Sequence, residues 1–161
     1  MVARLSGGRN VALHAGTFEP GDVDRRVGTS FGISTLHLAA ALRDNGGGRL
    51  ITSEFEPSKV KRAREHIVAG GLTDLIEIRE GDALQTLSRD LPETIGLVLL
   101  DGAKSLYVDV LDLLESRLKP RALIVADNTD YCLDYVERVR STGAYVSVPF
   151  ADDIELSMRL A

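Results

Sequence analysis

The sequence predicts an α/β fold, a doubly wound and mostly parallel sheet with an antiparallel C-terminal strand. From Gly32 onward, helical and strand patterns alternate in a regular beat. The run Ile95 to Leu100 is too short for a free-standing helix and apolar on both parities, as a strand covered on both faces must be. Ala144 to Pro149 and Ile154 to Leu160 read as a closing pair of strands around an Asp152-Asp153 turn.

The elements follow in order. A first helix runs from about Ile33 to Arg43, with Ile33, Leu36 and Ala40 on one face, Ser30 placed to cap it, and Asn45 with three glycines to stop it. Leu50 to Phe55 reads as a strand. Pro57 suits the first turn of the next helix, whose stripe is Val60, Ala63 and Ile67 and whose end is marked by Gly70 and Gly71. Leu75 to Arg79 is a short strand, and Ala83 to Arg89 a brief helix. Tyr107, Leu111, Leu114 and Leu118 predict a helix over Leu106 to Leu118, closed by Pro120. Ala122 to Ala126 is the next buried strand, and a helix over Leu133 to Arg140 follows it.

The stretch ahead of Gly28 differs. A strand feeding the first glycine turn is central in such a sheet and should be apolar, yet it reads Asp22, Val23, Asp24, Arg25, Arg26, Val27. It is expected to be short and frayed, or to lack something upstream.

The chain has 161 residues, 44% hydrophobic and 27% charged, which fits a single domain over 1-161 with an atypical segment at 1-26. Net charge is -5 and basic residues are scattered, so the expected partner is a small molecule rather than nucleic acid or an anionic membrane. No apolar stretch approaches the roughly 20 residues of a membrane span, and a cytoplasmic location is expected. The single cysteine, Cys132, reads as a buried thiol. His14, His37 and His66 read as surface or packing residues, and Tyr107, Tyr131 and Tyr135 as core more than as stacking groups.

Two sets of residues carry chemistry. The turn Gly28-Thr29-Ser30-Phe31-Gly32 lets backbone approach a ligand at a helix N-terminus, although Ser30 stands where a dinucleotide fingerprint wants glycine. Glu54, 22 residues beyond Gly32, can accept both hydroxyl hydrogens of a ribose, and Gly81-Asp82-Ala83 adds a third loop on that edge for an adenine. Together the three loops describe a nucleoside site. At the ends of two apolar strands, Asp101, Asp127 and Asn128 offer two carboxylates and an amide oxygen, a set suited to a hard divalent ion such as Mg²⁺. The plainer alternative is that each Asp caps the helix that follows. Lys104 favours the cation, because near a helix start its ammonium form gains nothing from the dipole, whereas its neutral amine can take a proton from a metal-acidified hydroxyl.

These residues resemble the cation-dependent class I S-adenosylmethionine O-methyltransferases, typified by catechol and caffeoyl-CoA O-methyltransferases and especially their small bacterial members. The resemblance runs from about Val27 to the C-terminus through Gly28-Thr-Ser-Phe-Gly-Ile-Ser34, Thr52-Ser-Glu-Phe-Glu-Pro57, Glu80-Gly-Asp-Ala83, Leu100-Asp-Gly-Ala-Lys-Ser-Leu-Tyr107 and Val125-Ala-Asp-Asn128. It implies a Rossmann-like methyltransferase fold. It also implies a cofactor, S-adenosylmethionine, touched by Gly28, Thr29, Ser30, Gly32, Ser34, Glu54, Phe55, Gly81, Asp82, Ala83 and Asp101. Mg²⁺ or another divalent cation would be held by Asp101, Asp127 and Asn128, Lys104 would be the general base, and the substrate would be a catechol-like small molecule.

The sequence departs from that pattern in several places. Arg26 stands where relatives carry an acid, and Gly96 and Arg121 stand where they commonly have Asp and Gly. Relatives also carry several N-terminal helices, whereas 27 residues precede Gly28 here, so a truncated or altered member is expected, with exposed apolar surface that favours a homodimer. The competing expectations are a non-catalytic remnant that binds the cofactor or only pairs with other subunits, and, more remotely, a nicotinamide-dependent oxidoreductase.

Overall fold

The structure is a computed structural model that describes residues 28–151 and 153–161 in full, and the backbone alone of 2–4, 10–12 and 23–27. Asp22, His14 and Asp152 lie outside the described residues. The strands are β1 (Val2–Arg4), β2 (Asn10–Ala12), β3 (Val23–Val27), β4 (Arg49–Glu54), β5 (Ile76–Glu80), β6 (Ile95–Leu100), β7 (Leu118–Ala126), β8 (Tyr145–Ala151) and β9 (Ile154–Arg159). The helices are α1 (Ile33–Asp44), α2 (Pro57–Ala69), α3 (Ala83–Thr86), α4 (Tyr107–Leu114) and α5 (Leu133–Ser141).

Seven strands form one sheet in the order β5-β4-β3-β6-β7-β9-β8. The pairings among β5, β4, β3, β6 and β7 are all parallel, and β9 lies antiparallel between β7 and β8. The parallel strands therefore end on one edge, where such sheets bind ligands.

The apolar character of both parities has a direct structural consequence. Leu97 and Leu99 of β6 and Val125 of β7 pack in one core with Leu38 and Leu42 of α1 and Ile67 of α2. Val98 and Leu100, with Ile124 and Ala126, pack in the other with Tyr107, Leu111 and Leu114 of α4 and Tyr135 and Val139 of α5. Each fully buried Leu or Ile contributes roughly 1.5–3 kcal/mol, so β6, buried along its whole length, anchors both layers.

Four expectations are corrected. The face of α1 turned to the sheet is Thr35, Leu38, Ala39 and Leu42, while Ile33 is 49% exposed and Ala40 is also exposed. The larger set of small and apolar residues at helical spacing outweighs the shorter Ile33 stripe. Ser30 does not cap α1: Gly32, at φ 85, is the cap residue, and no side chain caps the helix. The helix predicted to Leu118 stops at Leu114, tightens into a 3-10 turn over Glu115–Arg117, and Leu118 already belongs to β7. Pro120 sits inside that strand, where Ile95 pairs with Leu118 but Leu97 pairs with Leu123, so Pro120 falls in a bulge that needs no ladder donor.

The fourth correction concerns β3, which is not frayed. It pairs with β4 from Val23 to Val27 and with β6 from Asp24 to Val27, so its backbone is central despite the charged sequence. The side chains of β3, Arg26 included, lie outside the described residues. Ahead of it, β1 and β2 pair antiparallel as a separate ribbon, and β1 contacts α1.

Candidate active site

The site is built at the carboxyl edge of the parallel strands. After β3 the backbone turns back on itself with Gly28 at φ 89, Ser30 at φ 48 and Gly32 at φ 85. Gly28 and Thr29 both donate their N–H groups to the carbonyl of Ser53, at 3.1 Å each, which ties this turn to the end of β4. Gly28 also lies hard against the loop after β6, since an added Cβ would fall 2.4 Å from the Asp101 carbonyl oxygen. Only glycine fits there. Gly32 meets the Ala63 side chain of α2 in the same way, at 3.3 Å.

Glu54 joins the first two loops. Its Oε2 accepts the Ser30 N–H at 2.8 Å and its Oε1 accepts the Glu56 N–H at 3.1 Å, leaving each carboxylate oxygen a further lone pair for a ligand hydroxyl. The third loop follows from the second, because Gly81 donates its N–H to the Glu54 carbonyl at 2.9 Å. Asp82 caps α3 by accepting the Gln85 N–H at 3.1 Å.

A cleft of about 530 Å³ opens over these loops. Among the predicted cofactor residues, Gly28, Ser30, Glu54, Phe55, Gly81, Asp82, Ala83 and Asp101 line it. Thr29, Gly32 and Ser34 do not. Thr29 is fully buried, with its Oγ1 2.7 Å from the Thr52 Oγ1, so its side chain braces β4 and only its backbone faces the turn. Ser34 is buried in α1. Sequence reading missed Ser53, Glu56, Lys59 and Leu106, which also line the cleft. Ser53 had a local signal, as the residue before a strand-end carboxylate; Leu106 had none, because its place depends on a turn packed against the cleft from another strand.

Asp101 and Asp127 end neighbouring strands, with Leu100 of β6 opposite Ala126 of β7 and the Asp127 N–H on the Leu100 carbonyl at 2.9 Å. The cap residues of the two turns that follow are Ala103 and Asn128, and neither caps its turn through its side chain. Asp101 is half-buried and Asp127 fully buried. Asn128 adopts φ 55, ψ 47, a left-handed conformation that asparagine tolerates. Among the described residues no three His, Cys, Asp or Glu side chains gather as a metal cluster.

Lys104 opens a 3-10 turn over Lys104–Leu106, and its Nζ donates to the Tyr107 hydroxyl at 2.8 Å. That hydroxyl lies 2.8 Å from the Leu100 carbonyl and 3.0 Å from the Asp127 carbonyl, donating across the ends of β6 and β7. Burial, and then the nearby charges of Asp101, Cys132 and Asp127, push the Tyr107 hydroxyl far above the usual tyrosine value, so it remains a neutral donor. Tyr107 and Tyr135 are fully buried and meet edge to face at 5.8 Å, as expected of core tyrosines, whereas Tyr131 is 81% exposed. Cys132 is a buried thiol. Of the histidines, His37 is exposed and His66 is half-buried, with its Nδ1 2.8 Å from the Phe31 carbonyl of the glycine turn.

Comparison with known proteins identifies the family and the fold. The family described as "Methyltransferase domain" matches residues 26–129. The chain is 36% identical over 105 residues to a catechol O-methyltransferase of Niastella koreensis, an alignment covering 63% of this chain and 47% of that protein. It is 34% identical over 138 residues to catechol O-methyltransferase B of Danio rerio, covering 80% of this chain and 51% of the relative. The chain thus spans about half the length of the curated relatives it matches. An O-methyltransferase from Bacillus cereus, solved in complex with SAH, superposes with a TM-score of 0.79 at 20% identity, over 88% of this chain and 75% of that one. The Streptomyces achromogenes O-methyltransferase TomG, solved with SAM, gives 0.76 at 22% identity, over 88% and 74%. The chain therefore belongs to the methyltransferase-domain family, and its sheet is the Rossmann-like class I methyltransferase fold.

Proposed function

We propose that this chain carries the cofactor-binding and cation-binding face of an S-adenosylmethionine-dependent, Mg²⁺-dependent O-methyltransferase acting on a catechol-like or other vicinal-oxygen small molecule. The observation that carries the reading is the convergence of the Gly28 turn, Glu54, the Gly81 loop and Asp101 on one cleft. Asp127 and Asn128 stand at the adjacent strand end. A cleft of about 530 Å³ lies within the range of small-molecule sites, roughly 300–1,000 Å³.

The residues fit both groups. Glu54 has acceptor capacity for a ribose, exposed Phe55 offers an apolar face beside it, and the Gly81 loop bounds the far end. Asp101, Asp127 and Asn128 supply hard oxygen donors on two neighbouring strands, the chemistry Mg²⁺ prefers. When bound, the cofactor would supply the methyl group and the cation would stabilise negative charge developing on the acceptor oxygen. Lys104 takes the proton of the acceptor hydroxyl, with its nitrogen held at the strand ends by Tyr107. Gly28 and Asp101, in van der Waals contact through their backbones, keep the cofactor turn and the cation loop in fixed relation, so much of the gain is positioning.

The test is methyl transfer from labelled S-adenosylmethionine to a catechol, with and without EDTA, alongside calorimetry with S-adenosylmethionine. Turnover should vanish on chelation and fall by about 10²- to 10⁴-fold in Lys104→Ala, with cofactor affinity unchanged. Activity indifferent to EDTA and to Lys104→Ala contradicts the mechanism. Tight cofactor binding without turnover favours a non-catalytic remnant.

A further inference from the structure

The loop that carries Asn128 is held from a distant part of the chain. Asp153, in the turn between β8 and β9, meets it at three points. The Asn128 Nδ2 donates to the Asp153 Oδ2 at 3.0 Å, across 25 residues of sequence. The Asp153 carbonyl accepts both the Thr129 N–H, at 2.7 Å, and the Thr129 Oγ1 hydroxyl, at 2.8 Å. We propose that Asp153 is a positioning residue for the cation site, whose carboxylate locks the Asn128 amide with its oxygen, not its NH₂, offered to a divalent cation. This rests on the reading of Asp101, Asp127 and Asn128 as cation donors.

The physical reason is an asymmetry between an amide and a carboxylate. The two ends of an asparagine amide are nearly the same size, so packing alone barely distinguishes the two orientations related by a half-turn about its last torsion. An ionised carboxylate only accepts hydrogen bonds. Facing Asp153, the NH₂ end gains a charge-assisted bond, whereas the oxygen end would set two acceptors against each other. Fixing Nδ2 on Asp153 directs Oδ1 away from it. A divalent cation binds that oxygen and is repelled by the amide hydrogens, so the carboxylate decides whether Asn128 is a ligand. The two bonds from the Asp153 carbonyl to Thr129 hold the loop itself and survive any change of the Asp153 side chain.

The experiment titrates Mn²⁺ into the full chain by paramagnetic resonance, with S-adenosylmethionine titrated separately without metal and a thermal melt of each variant. Partners that orient a metal ligand change affinity by about 10- to 100-fold, so Asp153→Ala should bind Mn²⁺ at least about 10-fold more weakly. Cofactor affinity should hold within about twofold of the wild type, since the lock touches no cofactor group. Asp153→Asn keeps an acceptor but adds a donor, making the two amide pairings equivalent. That variant keeps the amide tethered and loses only the choice of orientation, so it should weaken Mn²⁺ by about twofold, whereas Asp153→Ala loses the tether that holds the ligand in place as well. In an Asn128→Ala background, Asp153→Ala should cost nothing further.

Unchanged Mn²⁺ affinity in Asp153→Ala overturns the proposal, as does an equal loss in the Asn128→Ala background, which would show an effect through the hairpin alone. Asp153→Ser, which keeps a turn-forming side chain too short to reach the amide, should reproduce the Ala result and replaces it if that variant does not fold. Asp127→Ala separates the two readings. If wild type binds no Mn²⁺, or Asp127→Ala leaves binding intact, the cation site itself is refuted. If Asp127→Ala abolishes binding while Asp153→Ala does not weaken it, only the role of Asp153 falls.

Discussion

Replacing Gly28 by alanine loads two separate costs onto one methyl group. Gly28 has φ +89, and its Cβ would lie 2.4 Å from the Asp101 carbonyl oxygen, 2.7 Å from the Asp101 carbonyl carbon and 2.9 Å from the Gly102 Cα. A left-handed conformation costs an L-residue roughly 1–2 kcal/mol. The three contacts are with backbone, just beyond a strand paired on both sides, so no side chain can rotate away and the overlap adds roughly 1–3 kcal/mol. Gly28→Ala should therefore lose roughly 2–5 kcal/mol of stability. Gly71→Ala is the control, because Gly71 has φ +64 and nothing within 4 Å of its would-be Cβ, so it carries the backbone cost alone. Urea unfolding followed by circular dichroism, with the slope checked for constancy, reads the difference between the two variants. Equal destabilisation would refute the claim that the Gly28 turn and the loop after β6 are in rigid contact.

Three further outcomes follow from local physics. Arg121 stands at φ +68 in the bulge of β7, so Arg121→Gly should raise stability by roughly 0.5–1 kcal/mol, read as a higher urea midpoint, strain relief exceeding the entropy added to the unfolded chain; a lower midpoint contradicts this. Burial raises the Glu155 pKa, but bonds from Arg140 at 2.8 and 2.7 Å and from Ser147 at 2.6 Å outweigh it and hold the group below the usual carboxylate value. A depressed folded-state value gives stability that is present above the unfolded pKa and lost as pH falls through the folded one. Wild type should accordingly lose an increment of stability below about pH 4.5 that Glu155→Gln lacks, read from urea midpoints between neutral and acid pH. Burial pushes the Cys132 thiol up to about 11, so a disulfide reagent at pH 8 should modify it only as fast as the protein opens; immediate reaction would contradict its packing.

What could be read from the sequence was whatever periodicity and strand-end chemistry express locally. Ile95 to Leu100 is a strand with the predicted bounds, because five apolar side chains and one glycine in six positions leave few alternatives in an alternating pattern. The Val60, Ala63, Ile67 stripe and the Pro57 start of α2 were equally legible. Pro120 was misread because a proline after a helical stripe signals an end, and only the register of β6 against β7 reveals a bulge that accommodates it. The charged β3 was misread for the opposite reason: pairing on both sides decides its place, and side-chain composition is silent about the two ladders. Of the candidate site, the strand-end residues are visible in the sequence, but Leu106 reaches the cleft only through tertiary packing.

Lys104 shows how a residue poorly suited to its helix can be well suited to the sheet. An ammonium at a helix start is opposed by the dipole. Here the segment is a short 3-10 turn, and the ammonium leaves the α4 axis to reach the Tyr107 hydroxyl, 5.1 Å from that ring's centroid. The hydroxyl bonds in turn to the last carbonyl of β6 and to Asp127, just beyond β7. Lys104, Asp127 and the end of β6 thus share one buried phenol, while Asp101, one residue beyond that end, is pinned against Gly28. A displacement of the glycine turn is therefore passed through Asp101 to the strand end on which Tyr107 and Lys104 depend. The two halves of the candidate site, separable as sequence motifs, are mechanically one, and a change confined to the cofactor turn should be felt at the proposed base.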